Sequence, residues 1–230
     1  HYDLGNNLYS RFLDSTMLYS SAIYPSPTST LLEASTNKLK VICDSLELKE
    51  SDHIVEIGTG WGGLAVYAAT HYGCKVTTTT ISDEQYHYTK ELIIKHDLQD
   101  RIELLQSDYR DLEGQYDKLV SIEMIEAVGH EYFNEYFRVC NRLLKPKGKM
   151  LIQSILIADE RDEIYKKGTD FIQKYIFPGG AVPSKSTIIE MINKNTEMQL
   201  VNYFSFGDSY ARTLSDWRRA FNANWESIKP

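Results

Sequence analysis

Hydrophobic and polar positions along the chain alternate between two periods. Thr30 followed by Glu33 spells a capping box, and Leu32, Leu39, Ile42 and Leu46 then recur at helical spacing, which predicts an amphipathic helix over 30–48. Residues 53–57 read as a short buried strand, 58–63 as a glycine-rich turn, and 64–72 as a helix that Gly73 ends. The β-branched run 75–81 predicts a strand, and Ser82 with Gln85 predicts a second capping box opening a helix to about residue 96. Strands follow at 101–106, 116–122 and 149–157. A helix over 130–144, capped by His130 and Glu131, stops before Pro146 and Gly148. An insertion over 159–184, rich in charge, aromatics, Gly and Pro, breaks the rhythm. After it come a helix near 185–196, a strand at 200–206 and a long helix over 209–227.

Strands and helices in alternation with short links predict an α/β chain: a Rossmann-like, doubly wound, mostly parallel sheet with helices on both faces. At 230 residues the chain reads as a single domain over 1–230. Its polar and aromatic segment 1–29, closed by Pro25 and Pro27, lies before the first helix and is expected to cover the ligand.

Composition narrows the function. With 25 Lys+Arg against 32 Asp+Glu the net charge is −7, so no broad basic surface tracks a phosphate backbone and nucleic acid is not an expected partner. The apolar share of 42% is ordinary for a folded protein, and no apolar run reaches the length that spans a bilayer. Cys43, Cys74 and Cys140 have no paired spacing and the six His form no ligand motif. Reduced core thiols, a cytoplasmic location and no metal are expected.

The chemistry concentrates at the first strand-to-helix turn, Glu56-Ile57-Gly58-Thr59-Gly60-Trp61-Gly62-Gly63, where a doubly wound sheet binds its ligand. Gly58, Gly60 and Gly63 fit the dinucleotide spacing GxGxxG. Glu56 with Gly58, Gly60 and Gly62 fits ExGxGxG, the S-adenosylmethionine loop. An acid two positions before the first Gly, and Asp108 after the third strand, favour the second pattern. At the end of the second strand Thr80 and Gln85 offer hydroxyl and amide groups to ribose in place of the usual acid.

Further segments then occur in order: His1-Tyr2-Asp3-Leu4-Gly5-Asn6, Met17-Leu18-Tyr19-Ser20, Thr80-Ile81-Ser82-Asp83-Glu84-Gln85, Asp108-Tyr109-Arg110-Asp111-Leu112, Val120-Ser121-Ile122-Glu123-Met124-Ile125-Glu126-Ala127-Val128-Gly129 and Tyr175-Ile176-Phe177-Pro178-Gly179-Gly180. Together with the glycine turn they resemble the cyclopropane-fatty-acyl-phospholipid synthases and the related mycolic-acid methyltransferases, over essentially the whole chain. The resemblance implies a class I methyltransferase fold, S-adenosylmethionine as donor and S-adenosylhomocysteine as product. It implies an olefinic acyl chain, usually on a phospholipid, as acceptor, with peripheral membrane contact. It places Tyr19 and Ser20 on the cofactor from the N-terminal segment. Glu56, Gly58, Thr59, Gly60, Trp61 and Gly62 would hold its methionine part, and Thr80, Ile81 and Gln85 its ribose. Asp108, Tyr109 and Arg110 would meet the adenine, and Ile122 the sulfonium end.

An alkene is too weak a nucleophile for a side-chain base to activate, so positioning carries methyl transfer. The cation that results calls for aromatic faces or an anion, and a base must take a proton if a ring is to close. The resemblance implies a bound bicarbonate as that base, held by a Glu, a Tyr and an Ile backbone group, which carry over as Glu126, Tyr210 and Ile155, together with a Cys-region backbone group and a His. Two positions depart. The usual Tyr-Ser-Cys is here Tyr19-Ser20-Ser21, and the expected His is Gln153, so no imidazole is supplied. The departure bears on ring closure more than on methyl transfer. A methyl-branched or methylene-branched product, a small amine acceptor as in plant alkaloid N-methyltransferases, or an idle cofactor-binding module are the alternatives.

Such sheets normally carry a seventh, antiparallel strand that the pattern does not show here, and the chain opens on His1. A C-terminally truncated piece of a longer chain is therefore expected, with the strand at 200–206 left unpaired. A homodimer is one way to fill that edge.

Overall fold

The computed structural model describes residues 6–229. Residues 1–5, which carry the start of the first resembling segment, and Pro230 lie outside the described residues. In chain order the elements are α1 (Asn6–Tyr9), α2 (Leu31–Ser45), β1 (His53–Ile57), α3 (Gly63–Tyr72), β2 (Lys75–Thr80), α4 (Asp83–Lys95) and β3 (Ile102–Gln106). Then follow β4 (Tyr116–Ile122), α5 (Phe133–Leu143), β5 (Leu144–Gln153), α6 (Asp159–Lys167), α7 (Lys185–Asn195), α8 (Gly207–Ala223) and α9 (Trp225–Ile228).

The strands of the described residues form one sheet in the order β3-β2-β1-β4-β5, every pair parallel. Alternate side chains of each strand leave on opposite faces. Ile54, Val76 and Val120 join Leu39, Ile42, Leu64, Ala68 and Ile93 on one side. Val55, Ile57 and Leu119 join Phe133, Phe137, Cys140 and Leu143 on the other. The chain departs from β1 in one direction toward β2 and β3 and in the other toward β4 and β5. A crevice therefore opens at the carboxyl ends of β1 and β4.

Local chemistry explains the helix starts. The Thr30 hydroxyl accepts the Glu33 amide at 3.2 Å and Glu33 Oε2 accepts the Thr30 amide at 2.7 Å, so the first capping box is complete. The second is half made. Ser82 accepts the Gln85 amide at 3.3 Å, but the Gln85 carboxamide oxygen accepts from the Thr80 hydroxyl at 2.9 Å, and the Ser82 amide turns to the same hydroxyl at 3.1 Å. The nearer Thr80 intercepts both groups.

Three expectations need correction. The segment 200–206 is not a strand: no residue of it joins a sheet, and Leu200, Val201, Tyr203 and Phe204 are exposed. Its β-branched and aromatic residues fit a pleated surface only when a neighbouring strand offers one, and none among the described residues does. The strand placed at 149–157 begins instead at Leu144 and ends at Gln153, with Lys147 at φ 66 and an irregularity opposite Tyr116 and Lys118. His130 and Glu131 do not cap a helix; they form a short 3-10 turn, and α5 starts behind Tyr132 with no side-chain cap.

The N-terminal segment folds over the crevice. Tyr9, Leu13, Met17 and Trp61 make a separate buried cluster, joined by Phe12, Tyr19, Tyr88 and Trp217, and Trp61 Nε1 donates to Asn6 Oδ1 at 2.6 Å. Helix α8 fastens this segment. The Thr213 hydroxyl accepts the Ala22 amide at 3.1 Å, Tyr24 donates its phenol proton to Asp216 at 2.7 Å, and the Arg212 guanidinium lies 4.0 Å from the Tyr24 ring centre.

Candidate active site

A cavity of about 490 Å³ occupies the crevice. Its floor is the turn after β1, where Gly58, Gly60 and Gly62 have φ of 91°, 54° and 83°. Glycine adopts such conformations without the strain that a side chain brings. A Cβ on Gly60 would meet nothing within 4 Å, so the backbone there lies open to a ligand. Gly62 differs. It does not line the cavity, and a Cβ on it would fall 2.7 Å from Thr89 Cγ2, so it lets α3 and α4 pack closely.

Every other position expected to hold the cofactor lines this cavity: Tyr19, Ser20, Glu56, Gly58, Thr59, Gly60, Trp61, Thr80, Ile81, Gln85, Asp108, Tyr109, Arg110 and Ile122. Glu56 is buried at the strand end with Oε2 accepting the Thr78 hydroxyl at 2.7 Å. Burial pushes its carboxyl up to about 8. Asp108 holds its neighbour: it accepts from Arg110 N, Nε and Nη2 at 2.9, 2.9 and 2.7 Å, and this pairing lowers its pKa. Tyr109 stands beside it, edge-on to Tyr136.

S-adenosylmethionine fits these residues. The glycine cradle is open above Gly60, the Thr59 hydroxyl is buried without a protein partner, and a buried acid waits at the end of β1 for an ammonium group.

Two groups on the cavity wall escaped the sequence reading. Lys38, only 1% exposed, lies on the inner face of α2 and donates to the Ser20 hydroxyl at 2.5 Å. Burial pulls its ammonium down to about 8, against the charges of Glu123 and Asp14. Its place in the apolar stripe of the helix, beside Leu39 and four residues before Ile42, is the signal that could have found it. Glu123 is the other; the family resemblance points instead to Glu126, three residues further along the same stretch after the fourth strand.

The residues expected to be catalytic lie off that wall, gathered behind Glu123. Glu123 Oε1 accepts the Ser21 amide at 2.8 Å and Gln153 Nε2 at 2.9 Å, and Gln153 Nε2 also donates to the Ser21 carbonyl at 3.1 Å. Glu126 Oε1 accepts the Ile155 amide at 2.6 Å and the Ser154 hydroxyl at 3.0 Å, while its Oε2 is buried without a partner. Burial, with the Glu123 charge behind it, pushes the Glu126 carboxyl up to about 7. Tyr210, at the start of α8, is pushed up to about 12 by burial and by Glu123, Tyr19 and Glu126. The loop that follows the π-turn over Ile172–Ile176 closes the far side: Ala181 N donates to the Glu126 carbonyl at 2.7 Å, and a Cβ on Gly180 would sit 3.3 Å from that oxygen.

A bicarbonate does not fit this arrangement. The Ser21 amide and the Gln153 amide group already serve Glu123, and the Ile155 amide serves Glu126, so the donors expected to hold it are taken.

Comparison with known proteins follows the same lines. The family model described as mycolic acid cyclopropane synthetase matches residues 1–230. The chain is 39% identical over 228 residues to tuberculostearic acid methyltransferase UfaA1 of Mycobacterium tuberculosis, covering 96% of this chain and 53% of that protein. It is 40% identical over 228 residues to cyclopropane-fatty-acyl-phospholipid synthase of Escherichia coli, covering 99% of this chain and 57% of the relative. The chain thus spans a little over half the length of these relatives. Among solved structures, mycolic acid cyclopropane synthase CmaA1 complexed with SAH and CTAB superposes with a TM-score of 0.91 at 29% identity, over 99% of this chain and 83% of that one. The cyclopropane synthase MmaA2 from Mycobacterium tuberculosis gives the same TM-score at 26% identity, again over 99% and 83%. With its parallel sheet, its glycine cradle and a match over its whole length, the chain belongs to the mycolic acid cyclopropane synthetase family.

Proposed function

We propose that this chain is an S-adenosylmethionine-dependent methyltransferase acting on the double bond of an unsaturated fatty acyl chain of a phospholipid. The observation that carries the reading is one cavity lined by both the glycine cradle with Glu56 and the Glu123 carboxyl. The relatives named as a fatty-acyl-phospholipid synthase and a tuberculostearic acid methyltransferase support a lipid acceptor.

When bound, S-adenosylmethionine supplies an electrophilic methyl group on a sulfonium. The chain's own residues do the rest. Glu56 and the turn from Gly58 to Gly60 would fix the amino-acid end, Thr80 and Gln85 the ribose, and Asp108 with Tyr109 the base. Tyr19, held under α8 by Trp217 at 5.3 Å between ring centres, helps exclude water and offers an aromatic face to developing positive charge. Glu123, Glu126 and Tyr210 would then govern the fate of the proton. No helix among the described residues is long and apolar enough to cross a membrane. We take the acyl chain to be reached from the bilayer surface, and the whole chain to act as one methyltransferase domain.

The test pairs calorimetric titration with adenosylhomocysteine and mass spectrometry of phospholipids incubated with the protein and S-adenosylmethionine. The expected product is heavier by one CH₂ and, if a ring closes, resists hydrogenation. Binding without any change in lipid mass would refute the lipid acceptor; absence of binding would refute methyl transfer.

A further inference from the structure

Glu123 is the first residue beyond β4, and its φ is 47°. A left-handed backbone is unfavourable for a residue with a side chain, and such strain persists only where the surroundings enforce it. Here β5 enforces it: the Glu123 amide donates to the Gln153 carbonyl at 2.7 Å. The side chain thereby reaches the N-terminal segment, where the Ser21 amide and Gln153 Nε2 converge on Oε1. Burial pushes the Glu123 carboxyl up, and the buried ammonium of Lys38 together with these two hydrogen bonds opposes that rise. Two N–H donors and a cation form an anion seat, and a strained residue of the chain fills it.

Building on the methyl-transfer reading above, we propose that Glu123 is a built-in anion that takes the place of bicarbonate in this chain, so that the acceptor's proton goes to a protein carboxylate. Methyl transfer breaks the sulfur–carbon bond, forms a carbon–carbon bond to one alkene carbon and leaves the other electron-deficient. Glu123 then takes a proton from the transferred carbon. The C–H bond breaks as the O–H bond forms, and the released electron pair makes the third ring bond at the deficient carbon. The carboxylate is neutralised as the carbon cation is discharged. Gln153 suits this place because its amide nitrogen carries two hydrogens, one for Glu123 Oε1 and one for the Ser21 carbonyl, where an imidazole nitrogen carries at most one.

The seat can be read without turnover. In ¹⁵N-labelled protein bound to adenosylhomocysteine, the Ser21 amide resonance is followed while bicarbonate is added. The wild type is expected to show no saturable shift. Glu123→Gly, which suits the left-handed backbone, empties the seat and is expected to show one at millimolar bicarbonate; Glu123→Ala serves the same purpose if the glycine variant does not fold. In parallel, turnover of unsaturated phospholipid by the wild type is expected to be the same with and without bicarbonate, and Glu123→Gln is expected to lower it about 100-fold with adenosylhomocysteine affinity unchanged. A saturable shift in the wild type, its absence in the emptied variants, or full turnover by Glu123→Gln would overturn the proposal. A protein that methylates no lipid refutes the reading of function, while the Ser21 signal still decides which anion holds the seat.

Discussion

Glu56 gives the sharpest prediction. Its carboxyl is buried, with one hydrogen bond from Thr78, and burial lifts it from 4.5 to about 8. At neutral pH roughly nine molecules in ten carry it protonated, yet an ammonium ligand requires the carboxylate. Binding of adenosylhomocysteine should therefore expel a proton, and affinity should rise about tenfold per pH unit up to about pH 8. Titration calorimetry in buffers of different ionisation enthalpy reads both effects. Glu56→Gln keeps the Thr78 contact but removes the charge, and the loss of a charge-assisted bond of about 1.5–3 kcal/mol weakens binding about 10- to 150-fold above about pH 8, where the wild-type group is already ionised, which is where the two proteins are compared. The same group governs stability. A folded pKa above the unfolded one means that its contribution is fully present below the unfolded value and is lost as pH rises through the folded value. The wild type should lose about 3–4 kcal/mol between about pH 5 and pH 8 from this group alone, and Glu56→Gln should not. Urea unfolding at those two pH values checks it. Affinity independent of pH with no proton exchanged, or a Gln variant that binds within about threefold of wild type, would refute the reasoning.

Other consequences are as direct. Gly62→Ala meets Thr89 at 2.7 Å in a left-handed backbone and should cost about 2–4 kcal/mol by thermal or urea unfolding. Gly60→Ala, with open space above it, should cost about 1 kcal/mol of stability but weaken adenosylhomocysteine binding more than Gly62→Ala does. Lys38→Met removes the cation that lowers the Glu123 carboxyl, so the titration midpoint seen at the Ser21 amide should rise; an unmoved midpoint would show that the two groups do not interact. Thr213→Val removes the acceptor of the Ala22 amide and should destabilise by about 1–2 kcal/mol, with faster proteolysis of the N-terminal segment.

Much of the frame was legible because its signals are local. The Thr30 and Glu33 pair, the glycine turn and the strands β1 to β4 follow from capping chemistry and short-range pattern, and the parallel sheet follows from their alternation with helices. What could not be read is what tertiary neighbours decide. The segment 200–206 has the composition of a strand but no edge to pair with, and Gln85 gave up its capping bond because Thr80 stood nearer. The site shows the same division. Motif spacing gathered the cofactor-facing positions, Gly62 excepted, whereas Lys38 and Glu123 take their meaning from contacts with Ser20, Ser21 and Gln153 that are far away in sequence. Glu123 was the harder of the two, since a second acid three positions later offers the same pattern.

The roof formed by residues 9–24 and clamped to α8 carries a kinetic corollary. On the proposed reading, a spent nucleoside under Tyr19 and Trp61 would leave only after that clamp slackens, and the contacts that resist heat would also set the pace of cofactor exchange. Tightening the clamp should yield a hardier, slower catalyst, and loosening it a quicker, frailer one.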